Sequence, residues 1–274
     1  MLFDSIVGGG LSMKKIVIKI GGGLITDKST FKTPRLDNIQ SVAKVIAELS
    51  AHGHKFIVIH GAGSYGHLES KKWGLASGAE PERIDAQRKA VKSVRNDMLE
   101  LNKLLVGAFT NYDVQTMIFP PSDWVEGIGS NFKGDLSKFN RKDNIIPISF
   151  GDVVDRKDTL EFGILSGDDL MVRISKEIPG VSHCIFLLGD TPGLMTKPPN
   201  EPESELIKCW SSSENVVGTH SSTQDVTGGI FLKTASAGEI CQKIPSVWML
   251  DGRKPERITE LISTGQTIGT KIIP

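Results

Sequence analysis

Hydrophobic positions fall along the chain in two kinds of run, which alternate. Lys15–Ile20 and Lys55–His60 are short, dense and rich in β-branched residues, and read as central buried strands. Between them Ile39, Val42, Val45, Ile46 and Leu49 recur at helical spacing from Leu36 to Ala51, and His52-Gly53 closes that helix. Strand, helix and strand in this order predict a parallel crossover unit. Arg83 to Phe109 reads as a long helix with Val91, Val94, Met98, Leu101 and Leu105 on one stripe. Further strands are predicted at Val114–Phe119 (stopped by Pro120-Pro121), Ile145–Phe150, Cys184–Leu188, Ser246–Leu250 and, terminally, Gly269–Ile272. Val153-Val154 with Thr159–Leu165 predicts a hairpin that turns through Arg156-Lys157-Asp158. Ser166-Gly-Asp-Asp169 is an N-cap region ahead of Leu170, Val172 and Ile174, and Asp168 itself could be the cap. Two more helices open at Asp225–Gly229 and at Pro255. Residues 122–142 carry no clear period, and residues 196–224, rich in Pro, Ser, Glu and Asn, read as a mobile loop region. The pattern is that of an α/β fold on a mostly parallel central sheet.

Composition narrows the function. The 274 residues suffice for one large domain or two lobes, and Lys+Arg 32 against Asp+Glu 32 gives no global basic field to attract nucleic acid or a membrane surface. Cys184, Cys209 and Cys241 lack CxxC spacing, no His/Cys pattern suggests a metal site, and no run approaches a membrane span of roughly 20 residues. A reducing, cytoplasmic setting is expected. Met13 directly precedes the first clear strand, so residues 1–12 are set aside as an N-terminal extension.

The chemistry gathers where strands stop. Residues 19–28, 60–67, 151–152 and 189–190 each combine glycine with Lys, His or Asp at a strand end, the edge of a parallel sheet where ligands bind. Glycine lets main-chain N–H groups approach an anion, and Gly61-Ala-Gly-Ser-Tyr-Gly-His67 leads into a helical stretch whose positive end would add to that. Lys19, at the end of a buried strand, is costly unless paired, whereas Lys28 and Lys233 alone could be surface lysines. Asp168 could orient these lysines, and His67, closing the loop, could donate to a bound phosphate. Gly61–Gly66 also matches GxGxxG, but the acidic strand that a dinucleotide site needs about 20 residues on is missing. A Walker A loop is absent. These features point to a small-molecule kinase, since phosphoryl transfer asks chiefly for positioning and positive charge.

Lys19-Ile-Gly-Gly-Gly23, His60–His67, Gly151-Asp152, Ser166–Asp169, Asp190-Thr-Pro-Gly193, Asp225-Val-Thr-Gly-Gly229 with Lys233, and Gly269-Thr270 resemble the amino acid kinase superfamily. Within it they look most like the isopentenyl phosphate kinases, and the histidine ending the glycine loop is the specific part of the likeness. The resemblance implies an open three-layer αβα sandwich over 13–274, with an acceptor-binding lobe at about 13–180 and a nucleotide-binding lobe at about 181–274. It implies a homodimer that transfers the γ-phosphoryl of ATP, with Mg²⁺, to isopentenyl phosphate. By the same likeness Lys19, Lys28 and Lys233 steady the transferring group, Asp168 orients the lysines, and His67 holds the acceptor phosphate. Gly21, Gly22, Gly23, Gly63, Asp190, Gly193, Asp225, Gly228 and Gly229 would serve the nucleotide, while Ala62, Gly63, Gly151 and Gly167 would serve the acceptor. The family's usual Gly-Gly-Ser is all glycine here, and its Asp-Val-Asp-Gly is Asp190-Thr-Pro-Gly193, which removes a hydroxyl, a carboxylate and an N–H. Rival readings are a kinase for another acceptor, such as a phosphonate of the fosfomycin kind, and a nucleotide-sensing protein without catalysis. An NAD-binding oxidoreductase is more distant.

Overall fold

The computed structural model describes residues 13–213 and 229–274. Its strands are β1 (Lys15–Ile20), β2 (Lys55–His60), β3 (Thr116–Ile118), β4 (Ile146–Phe150), β5 (Asp152–Asp155), β6 (Phe162–Leu165), β7 (Val181–Leu188), β8 (Cys209–Ser211), β9 (Ser246–Asp251) and β10 (Thr270–Ile273). Its helices are α1 (Gly22–Ile25), α2 (Leu36–Ala51), α3 (Gly63–Lys72), α4 (Ile84–Thr110), α5 (Gly167–Glu177), α6 (Gly229–Cys241) and α7 (Glu256–Thr264).

Eight strands form one sheet in the order β3-β4-β2-β1-β7-β9-β10-β8, and β5 pairs antiparallel with β6 in a separate hairpin. Every pairing in the large sheet is parallel except β10 with β9. The central strands lack a polar face because helices cover both sides, as a parallel sheet requires. On one side Ile16, Ile18 and Ile20 pack with α2, α4 and α7 through residues such as Ile46, Met98, Leu105 and Leu261. On the other Val17, Ile57 and Ile59 pack with α5 and α6 through Leu170, Ile174, Ala237 and Ile240. The result is a three-layer αβα sandwich. Residues 15–150 supply the half of the sheet from β3 to β1, and residues 181–273 supply the half from β7 to β8.

Two expectations change. Of residues 196–224, those at 214–224 lie outside the described residues, and the rest are not loop throughout, because Cys209–Ser211 pairs with β10 and Trp210 is buried. A strand of three residues is too short to show a period of two, so its polar setting hid it. Likewise β3 is half the predicted length and lies at the sheet edge, with Met117 and Ile118 partly exposed. Residues 1–12, set aside as an extension, lie outside the described residues.

Candidate active site

Three neighbouring strands stop at nearly the same level, since Ile20 pairs with both His60 of β2 and Leu187 of β7. The glycines that follow β1, β2 and β4 carry the ladder one step further: Gly21 N donates to Leu187 O at 3.0 Å, Gly61 N to Ile20 O at 2.9 Å and Gly151 N to His60 O at 3.1 Å. Beyond these bonds the turns press together main chain against main chain. A Cβ on Gly22 would lie 2.3 Å from Gly63 N, and one on Gly61 would lie 2.6 Å from Gly22 N, so neither position admits a side chain. Thr26 clasps the turns, accepting from Ser64 N at 2.9 Å and donating to Gly22 O at 2.8 Å.

A cavity of about 400 Å³ opens over this edge, lined by Lys19, Gly21, Gly22, Gly23, Lys28, Ala62, His67, Gly151, Gly167, Asp168, Asp190, Gly229 and Lys233. The cationic candidates from distant parts of the chain therefore line one cavity. Lys19 leaves β1 on the same face as Val17, toward α5, and its Nζ lies 2.5 Å from Oδ1 of Asp168 with both side chains buried. The contact is an ion pair of charges rather than a well-directed hydrogen bond to that oxygen. Asp168 is held by a capping box: Ser166 Oγ accepts from Asp168 N at 3.1 Å, and Asp169 Oδ2 accepts from Ser166 N at 3.2 Å. Ser166, not Asp168, is the N-cap of α5, which frees Asp168 to face Lys19. The positive end of α5 thus opens beside the same lysine. Lys28 lies across Gly23, where a Cβ would come 2.7 Å from its Cε, and Lys233 sits on the second turn of α6 with Nζ 3.2 Å from Gly229 O.

His67 lies within α3, one turn past its start, instead of closing a loop. It is half-buried and on the cavity wall. Gly63 and Gly193 are not on that wall: Gly63 packs against Thr26 and Gly22, and Gly193 against Thr270 and Leu206. Asp225 and Gly228 lie outside the described residues.

The remaining wall is of a different character. Val94 and Met98 of α4, Val153 of β5 and Ile164 and Leu165 of β6 make an apolar flank, and the hairpin is clamped to α4 by Arg95, which donates to Val153 O and pairs with Asp155. Sequence periodicity put Val94 and Met98 on a core stripe, and it has no means of separating core from cavity wall. Arg35, another wall cation, donates to Gly23 O at 3.3 Å; its place just before α2 gave no signal. Asp152, also on the wall, has one carboxylate oxygen buried with no hydrogen-bond partner, and burial pushes its pKa up to about 6. His60, wholly buried behind Gly61 and against the Phe150 ring, is pushed down to about 4 by burial and is neutral at pH 7. Among the described residues no cluster of three or more His, Cys, Asp or Glu side chains could hold a metal.

The sequence pattern of the Amino acid kinase family matches residues 14–248. The chain belongs to that family. Among its relatives the isopentenyl phosphate kinase of Thermoplasma acidophilum is 29% identical over 262 residues, covering 94% of this chain and 99% of the relative. That of Methanothermobacter thermautotrophicus is 25% identical, covering 94% and 98%. Glutamate 5-kinase of Citrifermentans bemidjiense is 24% identical and is covered over 68% of its length. The crystal structure of the T. acidophilum isopentenyl phosphate kinase product complex superposes with a TM-score of 0.77 at 28% identity, covering 95% of this chain and all of that one.

Proposed function

We propose that this chain is an ATP-dependent kinase that transfers the γ-phosphoryl of ATP to the phosphate of isopentenyl phosphate, giving isopentenyl diphosphate and ADP. The observation that carries the reading is a single cavity lined by two unlike sets of groups: lysines, His67 and main-chain amides, and the apolar side chains of Val94, Met98, Ile164 and Leu165. An acceptor with a charged phosphate and a small branched hydrocarbon tail matches that division. The likeness to isopentenyl phosphate kinases over nearly the whole chain supports it.

The acceptor attacks through an oxygen of a phosphate monoester that is already anionic, so no general base is required; in-line placement and cationic support suffice. Lys19, fixed by Asp168, and Lys28 and Lys233 stand around the transferring group, and their charge offsets the charge on its equatorial oxygens. Glycine amides at positions 21–23 and 167 hold phosphate oxygens, and His67 donates to the acceptor phosphate. Asp190 and the start of α6 line the nucleotide side. Mg²⁺ would enter with the nucleotide, because it is commonly bound through substrate phosphates and waters plus one or two carboxylates. When bound it would offset the negative charge of the nucleotide's phosphates. A cytoplasmic homodimer belongs to the same reading, and the partly exposed Met117 and Ile118 of edge strand β3 offer a second copy an apolar edge. Among the described residues no helix is long and apolar enough to cross a membrane.

The test is a panel of acceptors with ATP and Mg²⁺: isopentenyl phosphate, shorter alkyl phosphates, a phosphonate of the fosfomycin kind, and glutamate. Isopentenyl phosphate is expected to give the highest kcat/KM, with diphosphate as product. Glutamate would set its amino group and α-carboxylate against the apolar flank and is expected to be inert. Phosphonate turnover above that of isopentenyl phosphate would overturn the choice of acceptor, and nucleotide binding without transfer to any acceptor would overturn catalysis.

A further inference from the structure

Between α1 and α2 the chain makes an irregular excursion that carries Lys28. Its base is pinned to the body of the protein: Asp27 N donates to Thr33 O at 2.8 Å, Arg35 N donates to Ile25 O at 2.8 Å, and Thr26 bridges Pro34. The tip has no such support. Ser29 and Thr30 are exposed, and Phe31 is 48% exposed, so no apolar residue anchors it.

The far side of the excursion is fixed by Thr33, whose N–H donates to Ser64 Oγ at 3.3 Å, and by the side chain of Lys32. Its backbone is left-handed (φ 51°), a conformation that costs a non-glycine residue about 1–2 kcal/mol and persists where surrounding contacts hold it. Its ammonium lies 2.6 Å from Oδ1 of Asp97 and 2.7 Å from Oε2 of Glu100, both on α4, and over the ring of Tyr65 on α3 at 6.0 Å. Asp97 is the unusual partner. Its side chain is 9% exposed and its second oxygen is buried without a hydrogen bond, so Lys32 is the main compensation for a buried negative charge. The two carboxylates raise the Lys32 pKa, so the ammonium stays charged at physiological pH. Asp97 is also next to Met98 and one helical turn from Val94, which form the apolar flank of the cavity. The pair therefore ties the helix that walls the acceptor end to the excursion that delivers Lys28.

We propose that Lys32 and Asp97 are a positioning pair for the reaction: they hold the excursion so that Lys28 lies across Gly23 and reaches the transferring phosphoryl. The inference rests on the role given to Lys28 under the proposed function. A displacement of about 1 Å at a reacting group can cost up to about a hundredfold in rate, so a contact outside the cavity can matter to turnover.

The experiment compares Asp97→Asn, Lys28→Met and the double variant of the full chain, by steady-state kinetics with ATP and the best acceptor of the panel. Asp97→Asn is expected to lower kcat by about ten- to a hundredfold while the KM for either substrate moves by less than about threefold. The double variant is expected to be no slower than Lys28→Met alone, because the pair acts through that lysine. Restoring the carboxylate as Asp97→Glu is expected to recover most of kcat. Hydrogen exchange is read alongside: amides in residues 27–34 are expected to exchange faster in Asp97→Asn, with α2 and β1 unchanged. Wild-type kcat in Asp97→Asn would overturn the proposal, as would a loss of equal size in the Lys28→Met background, which would mark a purely structural clip. If Lys28→Met itself turns over normally, the role of Lys28 falls first and the positioning pair with it. Should Asp97→Asn not fold, Lys32→Gln carries the same comparison, and unchanged exchange in residues 27–34 would sink the idea.

Discussion

At the scale of single residues, His67 and Asp152 separate what binds from what titrates. His67 is expected to matter to the acceptor alone: His67→Ala should raise the KM for isopentenyl phosphate at least about tenfold, the equivalent of one charge-assisted hydrogen bond, and leave the Kd for ATP within about twofold. Isothermal titration and initial rates check the two halves, and equal weakening of both ligands would remove His67 from the acceptor side. Asp152 acts on stability instead. Folded, it keeps its proton up to about pH 6, while the unfolded chain releases it near 3.8, so this group makes the protein less stable as pH rises through that window. His60 works in the opposite direction: the unfolded chain takes up a proton near 6.5 and the folded one only near 4, so stability is lost as pH falls through that window. His183, also lowered to about 4 by burial, adds to the His60 trend. Asp152→Asn is therefore expected to be more stable than the parent by about 2–3 kcal/mol at pH 7.5, the gain vanishing below about pH 4. Urea unfolding at the two pH values measures it. A gain of the same size at both would assign the effect to packing rather than charge. The sequence placed Asp152 at the ligand-binding edge of the sheet but did not show its burial, since burial of a carboxylate is a property of the assembled molecule.

At the scale of elements, α5 joins fold to chemistry. Its capping box sets the first turn, and that turn holds Gly167 on the cavity wall and Asp168 against Lys19. Loss of an N-cap costs about 1 kcal/mol, so Ser166→Ala should lower Tm by about 2–4 °C. Because the fraying begins at the residue paired with Lys19, kcat is expected to fall further than the small stability loss would suggest, by about tenfold. Calorimetry and rates on one preparation test this; a reduced Tm with unchanged kcat would show that the pair tolerates a loose helix end. The Ser-Gly-Asp-Asp signature made this element readable in advance, as the periodicity of α2 and α4 did theirs. β8 was not readable, because its partner β10 lies some 60 residues away and local sequence carries no trace of that pairing. Nor was the side chain that fixes the Lys28 excursion, since Lys32 and Asp97 meet only through tertiary packing.

At the scale of the whole molecule, one sheet edge gathers segments from residue 19 to residue 233. Parallel topology made that convergence legible before any coordinates, because strands running the same way finish on the same side. The apolar part of the cavity lining was not legible, since Val94 and Met98 read as one helix stripe and Ile164 only as part of a hairpin. α4 is the member common to both kinds of wall: it carries the apolar stripe, clamps the β5–β6 hairpin through Arg95, and anchors Lys32 through Asp97.

The backbone-to-backbone seating of Gly22 on Gly61 and Gly63 has a consequence for change over time. A surface moulded from main chain has nothing to repack, so substitutions there can only break it. New acceptors must be won on the other flank, where side chains of adjustable size meet the tail. A library randomised at positions 94, 98 and 164 should yield altered substrate ranges, and one randomised at 22 and 61 should return glycine.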